Sequence, residues 1–175
     1  IILKMMKKAD IWISAVLYMG LGVILLSIIL AVGIPIINKV RDKNTAIDTE
    51  NLMLSLDDKI RAVYSEGPGS RRPFKFEIRK GTFNIDDINE KITWSFETSA
   101  LLSEPGVDVQ KGNLVLTTRD TGSKNIYISS FKIDYNNILN LTLQSSSNEF
   151  TGANNLLITN IGPYNSRPTV LISSV

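Results

Sequence analysis

Neither cysteine nor histidine occurs among the 175 residues of the sequence. The lack of cysteine excludes disulfide bonds and thiolate metal sites, and the lack of histidine excludes Ser-His and Cys-His catalysis. The sequence also lacks a large excess of either charge, because 19 basic and 17 acidic residues leave a formal net charge of +2. No strongly basic face is therefore expected, and nucleic acid is not a predicted partner. We expect neither an enzyme nor a protein with a cofactor or a metal.

Charged residues are also missing from one long apolar run, which extends from Ile11 to Ile37. About 20 apolar residues are enough for a helix to cross a bilayer. A cleaved secretory signal has a shorter apolar core of about 7–15 residues and a small-residue cleavage site, whereas this run ends in Gly33-Ile34-Pro35-Ile36-Ile37. The run predicts a helix that uses either a membrane or an equally apolar protein environment.

The helical pattern continues beyond the apolar run. No glycine or proline occurs from Asn38 to Tyr64, and the helix-breaking sequence Gly67-Pro68-Gly69 follows. Apolar residues recur there at spacings of three and four, which indicates one face of a helix. Asp57 and Asp58 are interpreted as its solvated face. We expect the apolar stripe to be partly covered by the rest of the chain; its members are Met53, Leu56, Ile60, Val63 and Tyr64.

Three glycines and one proline interrupt the apolar run. Gly20, Gly22 and Gly33 permit two interpretations that stay open, a close contact between helices or a flexible, extensible stretch. Pro35 removes a hydrogen bond to the carbonyl of Ala31, so we expect it to kink or locally melt the helix.

Beyond Arg71 the pattern changes to an alternation of apolar and polar residues, which is typical of strands with one dry face. Seven or eight short strands in about 100 residues predict an antiparallel β-sandwich. We expect Phe74, Phe76, Trp94, Phe96, Leu141 and Leu143 to be buried. Turns are predicted at Lys80-Gly81, Lys111-Gly112-Asn113, Asp120 to Ser123 and Gly162-Pro163, with a bulge at Ser129-Ser130.

Few residues in this half of the chain indicate chemistry. The pair Asp86-Asp87 lacks the spacing of a calcium loop and is interpreted as the end of a strand. The triplet Asn140-Leu141-Thr142 is an acceptor sequence for N-glycosylation. Asn140 falls on the predicted wet face, so it is either a glycan site or an ordinary polar strand residue.

These patterns divide the chain into three parts. Residues 1–9 form a basic leader-like segment, and residues 10–66 form the N-terminal helix, apolar over 10–37 and amphipathic over 38–66. Residues 67–175 form a β-sandwich head domain. The predicted fold class is α+β, with a long N-terminal apolar helix followed by an antiparallel sandwich.

This architecture resembles a type IV pilin, and specifically the archaeal pilins and archaellins, whose heads are β-sandwiches. In that family a prepilin peptidase cuts a Lys/Arg-rich, Gly- or Ala-ended site directly before the apolar run. The sequence Lys7-Lys8-Ala9-Asp10-Ile11 fits this pattern, with the cut between Ala9 and Asp10. The sequence departs from a mature pilin because it still contains residues 1–9. If these residues belong to the mature protein, the cut is either not made or falls elsewhere.

The resemblance implies a filament subunit that inserts in the cytoplasmic membrane, meets a pilus assembly machinery and polymerises with its own copies at the cell surface. The apolar helix would form the filament core, and the filament would serve adhesion or motility. The alternative is a single-pass, membrane-anchored β-sandwich protein of the binding or archaellum-stator kind that does not polymerise. The residues assigned to the filament core are Gly20, Gly22, Leu25, Gly33 and Pro35.

Overall fold

The computed structural model describes residues 2–174, with side chains from Trp12 onward. One long helix is followed by eight strands, so the chain is an α+β protein. The elements are α1 (Ile2–Glu66), β1 (Arg71–Asp86), β2 (Lys91–Thr98), β3 (Asp108–Lys111), β4 (Leu114–Asp120), β5 (Tyr127–Asp134), β6 (Asn140–Gln144), β7 (Glu149–Tyr164) and β8 (Arg167–Ser174).

The chain divides into two compact units inside α1. The first unit ends at Val40, and the second begins at Arg41 and contains the rest of α1 and all eight strands. We call the second the head unit. The amphipathic part of the helix thus belongs to the same compact unit as the sheet. Helix α1 ends at Glu66, where Gly67 (φ 92°) adopts a backbone conformation that favours glycine.

The strands form one eight-stranded sheet in the order β3-β4-β5-β2-β1-β7-β8-β6. Every neighbouring pair is antiparallel except β6 and β8, which run parallel. The sheet is curled, and its two longest strands each carry an irregularity. Strand β1 shifts register against β7 between Ile78 and Phe83, and β7 shifts against β8 between Asn160 and Gly162.

Two predicted turns are wrong because their glycines lie inside these long strands. Strand β1 continues through Lys80-Gly81, where Gly81 has φ 83° and a Cβ would lie 2.0 Å from the carbonyl oxygen of Ser95. Strand β7 continues through Gly162-Pro163, and the chain reverses instead at Asn165-Ser166, whose φ angles of 51° and 65° suit a two-residue hairpin. Positive φ and glycine are common to turns and strand bends, so the residues alone do not separate them.

The predicted bulge at Ser129-Ser130 is also wrong. Strand β5 keeps a regular register with both β2 and β4. Ser129 is buried, and its hydroxyl lies 3.4 Å from that of Thr118. The bulge was predicted because Ile126 was taken as buried and Ser129 as exposed. The structure shows the reverse: Ser129 lies on the buried face of β5, and Ile126, just before the strand, is exposed. The turns at Lys111 to Asn113 and Asp120 to Ser123 do connect successive strands.

An aromatic cluster forms the centre of the core. Trp94 is buried, its ring centroid lies 6.2 Å from that of Phe76 and 5.9 Å from that of Phe83, and its Nε1 donates to the carbonyl of Lys80 at 3.1 Å. Of the six residues expected inside, five are buried and Leu143 is half-buried. The satisfied indole N–H and the close rings are what a core tryptophan requires.

Candidate functional site

The apolar segment of α1 from Trp12 to Val40 is the surface that an ordinary globular domain would not carry. Its large side chains are exposed, with Trp12 at 74% and Tyr18 at 75%. The most apolar stretch of 18 residues has a mean hydropathy of 2.7 and is not buried at all. The helix is long and apolar enough to cross a membrane, a test that a signal sequence or a core helix of a soluble protein also passes.

The cost of leaving this segment in water identifies it as a site of interaction. Apolar surface contributes about 25 cal/mol per Å² when it is buried, so 1,000 Å² corresponds to roughly 25 kcal/mol. That exceeds the net stability of a typical domain, which is about 5–15 kcal/mol. The segment therefore requires cover from lipid or from other protein.

The glycines of this segment leave open space on the helix surface. Apart from the adjoining residues and the nearby backbone of the helix itself, no atom of the described residues lies within 4 Å of the position that a Cβ would take at Gly20, Gly22 or Gly33. Leu25, in the middle of the segment, is 53% exposed. The helix remains α-helical through Pro35, so the local melting expected there does not occur. The side chains of Ala9 and Asp10, the expected cleavage site, lie outside the described residues.

The apolar stripe of the second half of α1 packs into the head unit. Met53, Leu56, Ile60 and Val63 are fully buried and belong to the same core as the strand residues. Tyr64 differs from the others because it is 37% exposed. The stripe is therefore covered by the chain itself and leaves little apolar surface for contact with a neighbouring copy.

Asp57 is the centre of a buried polar cluster between helix and sheet. Its Oδ1 accepts a hydrogen bond from the Tyr135 hydroxyl at 2.9 Å, and its Oδ2 accepts from Asn113 Nδ2 at 2.8 Å and Arg61 Nε at 2.9 Å. Burial, and then the Asp57 charge, raises the pKa of the Tyr135 phenol well above its ordinary value. The phenol therefore stays a neutral donor, and its bond joins two residues 78 positions apart.

A second carboxylate, Asp42, joins the start of the head-unit helix to β1 and the end of β2. Its Oδ2 accepts hydrogen bonds from the backbone N–H of Ser99 at 2.6 Å and from the Ser99 hydroxyl at 2.8 Å, while Oδ1 pairs with Lys80. Burial alone would raise the pKa of Asp42, but the hydrogen bonds from Lys80 and Ser99 outweigh it and hold that pKa below its ordinary value. Asp42 is therefore ionised at neutral pH.

Asn160 completes the attachment at the other end of the helix. Its Nδ2 donates to the carbonyl oxygens of Val63 at 3.1 Å and Tyr64 at 3.4 Å, which are carbonyls of the last helical turn. Its Oδ1 accepts from the N–H of Gly162 at 2.9 Å, and its backbone carbonyl accepts from Gly69. This buried side chain satisfies groups that a helix end leaves unpaired.

The glycosylation candidate Asn140 is half-buried at the start of β6. Its Nδ2, the atom to which a glycan would be linked, donates to the carbonyl oxygen of Tyr164 at 2.9 Å. Longer contacts join the same nitrogen to the Arg167 carbonyl at 3.4 Å and the Thr169 hydroxyl at 3.3 Å. A linked glycan would replace one of the two N–H groups that make these contacts. The geometry disfavours modification after folding, and glycosylation stays a prediction.

Within the described residues, no cluster of three or more histidine, cysteine, aspartate or glutamate side chains could hold a metal ion. The carboxylates of Asp42 and Asp57 are instead satisfied by donors of the chain itself. These two and Asn160 were not singled out from sequence as sites. Asp57 was wrongly assigned to the solvated face, whereas Asp58 is exposed as expected.

Comparison with known proteins identifies no relative. No protein-family model matches the chain, and neither the curated proteins nor the solved structures give a match. The features that bear on function are therefore the exposed apolar segment and the contacts by which the head unit holds its own part of α1.

Proposed function

We propose that the chain is the structural subunit of an extracellular filament of the type IV pilus kind, with a sandwich-type head as in archaeal pilins. The observation that carries this proposal is the contrast between the two parts of α1. Residues 12–40 expose their apolar side chains, whereas the stripe from Met53 to Val63 is buried by the head unit of the same chain. A chain with a self-contained head and an uncovered apolar helix is suited to polymerise through that helix.

Several features of the segment favour copies of the chain as its final cover. The run from Ile11 to Ile37 is longer than the roughly 20 residues that a bilayer requires. The positions of Gly20, Gly22 and Gly33 leave room for the close approach of another helix. A bundle of such helices would bury the segment when it leaves the lipid, and the heads would remain outside.

The charges that flank the apolar run bear on orientation in the membrane before assembly. Lys4, Lys7 and Lys8 precede the run, and basic residues near a spanning helix favour the cytoplasmic side. Lys39 and Arg41 follow it and weaken this bias. The orientation with the head outside is therefore part of the proposal, and digestion of the head by protease added to intact cells tests it. A head that is protected until the cells are lysed contradicts the orientation.

A charge in the middle of the apolar segment tests the assembly role. Leu25→Asp would place an unpaired carboxylate among apolar neighbours, which costs several kcal/mol per copy. We expect no filaments in material sheared from cells, while Trp94 fluorescence, measured with Trp12 replaced by phenylalanine, shows a folded head. Leu25→Met, a substitution of similar volume and polarity, should assemble normally.

Two results would contradict the proposal. Filaments of normal yield from Leu25→Asp would exclude a core of buried helices. Wild-type protein that stays in the membrane fraction and forms no filaments would instead support the alternative, a single-pass anchored protein that does not polymerise.

A further inference from the structure

The head unit covers only one face of its part of α1. The buried residues of this helix, from Asp42 to Val63, recur in steps of four and three, with Asp57 as the one addition. Residues at these spacings lie above one another on a helix, so the buried series forms a single face. The opposite face receives no cover from the strands of the same chain.

That opposite face carries a second series at the same spacing, which we call the outer seam. Val40 is 55% exposed and Ile47 is 48% exposed, Asn44 and Asn51 are exposed, and Leu54 is half-buried. Apolar side chains thus recur every seven residues, and an asparagine stands between each pair of them. A seam that repeats over seven residues is the pattern of a coiled coil. It is continuous over about 21 Å of one uninterrupted helix.

We propose that the outer seam pairs with the same seam of a second copy, parallel and in register, while the chain is in the membrane. This pairing rests on the membrane-inserted stage of the function proposed above, and it does not require filament assembly. Copies that are inserted through the same apolar run share one orientation and one depth. Equal residues therefore lie at equal heights, and a two-fold axis brings each seam against itself.

The two asparagines favour an identical partner over an unrelated apolar helix. A carboxamide carries both a donor and an acceptor, so Asn44 can bond to Asn44 of a second copy, and Asn51 likewise. An apolar partner would leave these groups without a hydrogen bond. In coiled coils a seam asparagine lowers stability but fixes the register of the two helices.

The charges beside the seam also fit a second copy. In a parallel coiled coil, the residue just before a seam asparagine meets the residue five positions further along the partner helix. This joins Lys43 of one copy to Asp48 of the other, twice by symmetry. No ion pair among the described side chains includes either residue. Glu50, which is bonded to Lys111 in its own chain, falls opposite the neutral Ser55.

The seam ends after Leu54. The next seam position is Asp58, which is exposed and would face its own copy across the axis. Like charges in such a position repel each other, so the two helices separate there. A contact from Val40 to Leu54 is short compared with a stable interface, which buries at least about 1,000 Å². The membrane, which holds the copies at one depth and in one orientation, is therefore part of what makes the pair form.

Introduced cysteines test this pairing without background, because the chain contains no cysteine. Full-length Ile47→Cys and Asn51→Cys are reconstituted at low density in phosphatidylcholine vesicles and oxidised with copper-phenanthroline. Equal seam positions of an in-register pair lie within the roughly 7 Å between Cα atoms that a disulfide permits, so we expect covalent dimers. The matched control Thr45→Cys is half-buried on the same turn but away from the seam, and it should remain monomeric.

Charge exchange tests the register. In the Ile47→Cys chain, Lys43→Glu sets two carboxylates against each other at both flanking pairs and should lower the dimer yield roughly threefold or more. Asp48→Lys should lower it similarly, and Lys43→Glu combined with Asp48→Lys should restore it. Both residues are exposed, so the fold of the head should not change.

Three results would overturn the pairing. They are equal dimer yields from Thr45→Cys and Ile47→Cys, no dimers from either seam variant, and charge variants that all dimerise alike. The filament function is judged separately, by filaments sheared from wild-type cells. Filaments without the specific dimers refute the pairing alone, whereas dimers without filaments refute the filament function alone.

Discussion

The cluster around Asp57 predicts a graded loss of stability when its partners are removed singly. Tyr135→Phe removes one donor from a carboxylate that keeps Asn113 and Arg61, which should cost about 1.5–3 kcal/mol. Asp57→Ala leaves the buried phenol and the Asn113 amide without their acceptor, and a broken buried network costs roughly 3–5 kcal/mol. Arg61→Ala should cost only about 0.2–1 kcal/mol, because that side chain is 37% exposed.

Unfolding of the full chain by urea in detergent micelles measures these differences. Trp94 is buried and reports on the head unit, whereas Trp12 is exposed on the apolar helix and is replaced by phenylalanine in every variant. The double variant Asp57→Ala/Tyr135→Phe closes a mutant cycle, which should give a coupling of about 1–3 kcal/mol between the two residues. A coupling near zero, or an Arg61→Ala loss as large as that of Tyr135→Phe, would refute the assignment of the Tyr135 bond as a principal link between helix and sheet.

Four further predictions follow from single contacts. Trp94→Ala should lower the free energy of unfolding by roughly 3–5 kcal/mol. The stability that ionised Asp42 contributes is present above its unfolded pKa of about 4 and is lost as pH falls through the lower folded pKa, so Asp42→Asn should lie closest to wild type in acid-unfolding titrations at low pH. Gly81→Ala should abolish folding measured by circular dichroism, whereas Gly112→Ala, which has open space, should cost about 1–2 kcal/mol. We expect Asn140 to carry a glycan in the native protein, which glycopeptide analysis measures; an entirely unmodified Asn140 peptide contradicts this prediction.

Helical periodicity correctly predicted the apolar stripe of α1, but the burial of Asp57 on the same face was not predicted. Asp57 lies four residues after Met53 and three before Ile60, so it shares their face and is buried with them. It was assigned to solvent because a charged residue is rarely buried without a partner. That partner, Tyr135, lies 78 positions away, and no local pattern in the helix reveals it.

Alternation predicted the strands better than the path that joins them. Alternating residues such as Phe76 and Trp94 identify the buried face of a strand even when the ends of that strand are not known. Gly81 was interpreted as a turn because its position beside Lys80 resembles one, but the close approach of Ser95 explains why glycine is needed inside a bent strand. Such an approach depends on the neighbouring strand, which local sequence does not specify.

The polar contacts along α1 determine how the head unit would respond to a pull on the helix. Asp42, Asp57 and Asn160 hold the head-unit part of α1 near its start, along its length and at its end. Sliding the helix by one turn, about 5.4 Å, would separate Asp42 from Lys80 and Ser99, and Asp57 from Tyr135 and Asn113. Only the bond from Arg61 to Asp57, which lies within the helix, would be kept. Buried polar groups that lose their partners are far more costly than a shift of apolar contacts. A core of apolar side chains alone would permit such slippage more readily. In the proposed filament, a force on the head would therefore reach the apolar segment through a helix that resists a change of register in the head unit.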